Sequence, residues 1–80
     1  MAKFRRMPGK IIEAEQWNSD EGEIGHKGVA WEEASNRFYV TTIHGQRAYL
    51  ADGDWILPEP DGEHYYPCKP DIFAATYEPA

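Results

Sequence analysis

Eighty residues with one cysteine and a formal net charge of −6 set narrow bounds on this chain. A domain of this size buries only about 60–65% of the surface that its unfolded chain exposes. One cysteine excludes a disulfide within the monomer, so stability is expected from the three Trp, five Tyr and three Phe, and from self-association into a homo-oligomer. Fourteen acids against eight Lys and Arg do not suit nucleic-acid backbone, which requires clustered cations to displace counterions. No apolar run approaches the roughly 18 residues of a membrane span, and a lone thiol without a signal peptide is expected in a reducing cytoplasm.

Charge is uneven along the chain. Lys3, Arg5, Arg6 and Lys10 make the start basic, whereas Lys69 is the only Lys or Arg from Asp52 onward. Residues 10–17 read as a strand after a Pro8-Gly9 turn, with Ile12 and Ala14 on one face and Ile11 and Trp17 on the other. Residues 18–30 are polar, contain Gly22, Gly25 and Gly28, and read as a loop. A short helix is expected over Val29–Ser35, anchored by Trp31, although one or two turns need packing to persist.

Residues 37–43 alternate Phe38, Val40 and Thr42 against Tyr39, Thr41 and Ile43, which predicts a strand. His44-Gly45-Gln46 reverses the chain into Arg47–Ala51, and Ala51-Asp52-Gly53-Asp54 turns it again into Trp55-Ile56-Leu57. A third turn, 58–62, leads into Glu63–Pro67. Three close reversals predict an antiparallel meander. Pro67 ends that strand, Pro70 suits the first position of a short helix to Ala75, Asp71 lies in its first turn, and Thr76-Tyr77-Glu78 is extended again. The single domain, 1–80, is therefore expected to be mainly β: a small curved antiparallel sheet or open barrel with a short C-terminal helical turn.

Most chemistry finds weak support. His26, His44, His64 and Cys68 could ligate metal, but His64 and Cys68 on a strand lie about 13 Å apart at roughly 3.3 Å per residue; no metal or cofactor is expected. Cys68 beside Lys69 and a helix start could be an activated nucleophile, or a small buried thiol. Asp52 and Asp54 flank a turn glycine and read as turn-formers; Glu13 is either a buried acid or an exposed one at the sheet edge. The glycines form no phosphate loop. The remaining constellation is Trp17, Trp55, Tyr65, Tyr66, Lys69 and Asp71. An aromatic wall beside a cation and open N–H groups suits a flat anion such as a nucleotide. Filling a small core, with Lys69 at the surface, accounts for the same residue types.

Ile12-Glu13-Ala14-x-Gln16-Trp17, Gly53-Asp54-Trp55-Ile56, the run Tyr66-Pro67-Cys68-Lys69-Pro70-Asp71-Ile72-Phe73 and Thr76-Tyr77-Glu78 together carry a resemblance. In these stretches the chain resembles a widespread group of small proteins encoded by tailed phages and prophages, to which no reaction attaches. The similarity covers residues 3–17 and 49–79, and Asp52 stands where the group has proline. The resemblance implies a non-catalytic accessory protein that binds a partner stoichiometrically. Two partners follow: a host nucleotide-derived immune signal, sequestered by the aromatic and Lys69 constellation, or a host protein blocked by the acidic surface. A small enzyme using a reactive cysteine is a poorer third.

Overall fold

A computed structural model describes residues 2–6 and 9–80. Pro8 of the expected Pro8-Gly9 turn lies outside the described residues. The architecture is mainly β, as expected: among the described residues there are eight strands in two antiparallel sheets, neither closed, with one short helix near the C-terminus. The strands are β1 (Ala2–Arg6), β2 (Ile11–Gln16), β3 (Ala30–Glu32), β4 (Arg37–Thr41), β5 (Arg47–Tyr49), β6 (Trp55–Pro58), β7 (Tyr65–Cys68) and β8 (Tyr77–Pro79); helix α1 is Pro70–Thr76. The larger sheet runs β7-β6-β2-β1-β8, and the smaller runs β3-β4-β5.

Alternation along β2 explains the layering. Ala14 joins Leu57 and Phe73 in one buried cluster, with Phe4, Ile12, Trp55, Tyr66, Cys68 and Tyr77 packed around it; this is the face that α1 covers. On the opposite face Ile56 joins Trp17, Val29, Val40 and Leu50, with Phe38, Ala48 and Tyr65, where the smaller sheet packs. The larger sheet is thus the middle layer. Phe73 holds α1 in place by stacking on Trp55 at 4.1 Å and on Tyr77 at 4.9 Å, contacts worth about 0.5–1.5 kcal/mol each beyond the area buried.

Three local expectations are corrected, the third at Pro67 below. Val29–Ser35 is not a helix: β3 pairs with β4 through a turn in which Asn36 takes φ 58, and Trp31 lies opposite Phe38 with ring centroids 4.6 Å apart. A seven-residue helix has too few internal hydrogen bonds to compete with a cross-strand ladder. The continuous meander is also interrupted. β4 and β5 form the hairpin around Gly45, at φ 77, but the next turn carries the chain from one sheet to the other, so β6 pairs with β2 and β7 and not with β5. Backbone bonds at that corner join Trp17 N–H to Asp54 C=O at 2.8 Å and Gly53 N–H to Trp17 C=O at 2.9 Å.

The polar loop contains a 3-10 segment, Ser19–Gly25, with Glu21 accepting from the Asn18 N–H at 3.0 Å. Pro67 lies within β7 and does not end it; β7 is an edge strand, where a missing N–H leaves no central ladder bond unmade. Glu13 is exposed, opposite Lys3 of β1.

Candidate functional site

On the face that carries α1, a cleft of about 890 Å³ opens between the β1–β2 end of the larger sheet and the segment leaving β6. Arg6 and Lys10, at the β1–β2 end, line one side; Pro58, Glu59 and Pro60, leaving β6, line the other. Ile12, Tyr66 and Tyr77 also line it, and the two phenol oxygens are 3.5 Å apart.

The electrostatics favour an anion at the β1–β2 end. Burial, followed by the hydrogen bond with Tyr77, pushes the Tyr66 phenol well above its ordinary range, so its ring stays neutral at physiological pH. Glu59 is the one carboxylate in the lining among the described residues, and its Oε2 accepts the Ile43 N–H at 2.8 Å. Arg5, next to the cleft cation Arg6, faces away and pairs with Glu78 at 2.8 Å. A site with two cations, aromatic rings and a hydroxyl pair can stack a planar group and hold a negative charge beside it.

Of the six residues singled out in the sequence, only Tyr66 lines this cleft. Trp17 and Tyr65 belong to the cluster between the sheets, and the Trp17 indole N–H donates to the Gly22 carbonyl at 3.1 Å. Trp55 packs beneath α1 with Phe73 and Phe4. Lys69 is surface-exposed and directs its ammonium to Asp54, and Asp71 is exposed on the first turn of α1. The ammonium expected to meet an incoming anion therefore already has a carboxylate. Asp54 itself forms its turn, accepting the Ala51 N–H at 2.9 Å.

The cations were visible in the sequence as a basic N-terminal pole, but nothing local tied Arg6 and Lys10 to Tyr66. That link comes from the hairpin register and from Arg6 lying opposite Tyr77 of β8.

The other chemical candidates take structural places. Burial raises the Cys68 thiol, and the Asp54 and Asp71 carboxylates add to the shift, outweighing any effect of the adjacent lysine. A thiol held protonated is a poor nucleophile. Burial also lowers His26, whose Nδ1 accepts the Gly28 N–H at 2.9 Å. Asp61, Glu63 and His64 converge on an exposed turn, where Asp61 accepts the Glu63 and His64 N–H groups and pairs with the His64 ring.

No protein-family model, curated protein or solved structure matches the chain.

Proposed function

We propose that this protein is a stoichiometric binding protein that holds a flat, anionic small molecule of the nucleotide class in the cleft beside α1. The observation that supports this reading is the placement of Arg6 and Lys10 in the same cleft as Tyr66 and Tyr77. An aromatic ring stacks on a tyrosine face, and a phosphate meets the two cations. The resemblance to phage proteins suggests the setting: the host cytoplasm, with sequestration of a host nucleotide-derived signal and no turnover. A thermal-shift and calorimetric screen of cyclic dinucleotides, ADP-ribose and mononucleotides tests it. The expected result is saturable stabilisation that grows with ligand concentration as RT ln(1 + [L]/Kd). Absence of stabilisation and of heat with every member of the set would sink the reading.

A second reading is favoured by the 3-10 segment, where Ile24 is 98% exposed amid exposed Asp20 and Glu23. An apolar tip ringed by acids suits a basic host protein surface. Ile24→Glu abolishing retention of such a partner, with nucleotides silent, would select it.

A further inference from the structure

Between the core residues Trp17 and Val29, residues 18–28 contribute one buried residue, His26. The rest of this segment is tied down by hydrogen bonds nearer the surface: the Trp17 indole N–H donates to the Gly22 carbonyl at 3.1 Å, and the Ser19 N–H donates to Asp52 Oδ1 at 2.6 Å. A stretch with so little buried apolar contact opens at a lower free energy than the sheets beside it. What anchors it is a titratable ring.

His26 holds the end of the segment twice. Its Nδ1 accepts the Gly28 N–H at 2.9 Å, and its carbonyl accepts the Val29 N–H at 3.1 Å, closing the turn that delivers Val29 to the core. A backbone N–H can only donate, so Nδ1 carries no proton while that bond exists and the ring hydrogen is on Nε2. An imidazolium donates from both nitrogens, and two donors cannot share the contact. The surroundings compensate such a cation poorly. β7 presents the edge of the Tyr65 ring at 4.6 Å between centroids, β2 presents the Glu15 carboxylate, and the segment itself presents the Lys27 ammonium. Burial is the strongest influence and Lys27 acts with it, against Glu15, so the ring takes up a proton less readily than a free histidine.

We infer that His26 is an acid-operated latch: a proton taken up at Nδ1 displaces the Gly28 N–H and frees residues 18–28 from the core, with both sheets still formed. Above the ordinary histidine value of 6.5 the latch is shut, and its contribution is lost as pH falls through the lowered folded value. Opening takes the Gly22 carbonyl away from the Trp17 indole and carries the exposed Ile24 with it. The latch is independent of the cleft and of any partner at Ile24.

Amide hydrogen exchange of the wild-type protein, corrected for its intrinsic pH dependence, tests the latch. The Gly28 amide is expected to be protected at least about tenfold less than the amides of β2 and β6, which marks a local opening. Its opening constant should rise by about threefold or more from about pH 7 to about pH 5, a window above the carboxylate range. His26→Asn sets an amide oxygen in the place of Nδ1, and an Asn that accepts the N–H two residues on is a common turn with nothing to titrate. In that variant Gly28 protection should be flat across the same window, whatever its level, and circular dichroism confirms that the variant is folded. Gly28 protected as strongly as the sheets, a wild-type rise below about threefold, or the same rise in His26→Asn would overturn the inference.

Discussion

The ammonium of Lys69 lies 3.3 and 3.4 Å from the two carboxylate oxygens of Asp54, and Asp54 is only 2% exposed. The pair is asymmetric, since the lysine side chain is 60% exposed. Removing the acid leaves the Ala51 N–H without its acceptor at the corner where the chain changes sheets. Asp54→Ala is therefore expected to cost about 2–4 kcal/mol, and Lys69→Met less than about 1 kcal/mol. Urea unfolding of both variants measures the difference. Equal costs would show that the acid is not the structural partner.

The same pair sharpens the test of the cleft. Arg6→Ala and Lys10→Ala should each weaken nucleotide binding by about tenfold with the fold retained. Lys69→Ala should leave binding unchanged, because its ammonium serves Asp54 and does not line the cleft. Calorimetry on the three variants separates this site from one centred on the C-terminal lysine. Loss of binding in Lys69→Ala alone would move the site.

Acid sensitivity should centre on Glu32 and Asp61. Hydrogen bonds from Ser35, Arg47 and Tyr49 lower Glu32 from 4.5 to about 2. The Glu63 and His64 N–H groups and the His64 ring lower Asp61 from 3.8 to about 2. Depressed carboxylates stabilise the fold above their unfolded values, and that contribution is lost as pH falls through the folded ones. Urea midpoints should accordingly fall between about pH 4.5 and about pH 2, and Glu32→Gln should flatten part of that slope. His64 acts in the opposite sense: Asp61 raises it, so its contribution is complete below 6.5 and fades as pH rises through the raised value. An unchanged acid limb in Glu32→Gln would show that the hydrogen bonds from Arg47 and Tyr49 to Glu32 do not hold its carboxylate charged.

Gly28 is required for space. A Cβ built there would lie 2.4 Å from Cδ2 and 2.8 Å from Cε2 of Tyr65, whose ring is packed edge-on against His26 at 4.6 Å. Gly28→Ala is expected to destabilise by about 1–3 kcal/mol, since a ring fixed on both sides yields little. Gly45→Ala meets no atom within 4 Å, and its cost arises only from φ 77, about 1–2 kcal/mol. Pairing Gly28→Ala with Tyr65→Leu should recover part of the first loss. A Gly28→Ala variant as stable as wild type would show that the ring moves freely.

Local elements whose residues allow one geometry are legible in the chain alone. The alternation through Phe38, Tyr39 and Val40 defines β4, Gly45 defines the hairpin, and Pro70 with Asp71 defines the start of α1. Each rests on backbone sterics or on two-residue periodicity, which act within a few residues. The place of Trp31 is not legible locally, because apolar spacing over one turn does not distinguish a marginal helix from a strand, and only Phe38 across the ladder decides between them. Tertiary structure alone decided that the chain changes sheets after Leu50, that Lys69 is held by Asp54, and that the cleft brings Arg6 and Lys10 to Tyr66. Residues 60 or so apart come together through strand register, which is not written in the local pattern of residues.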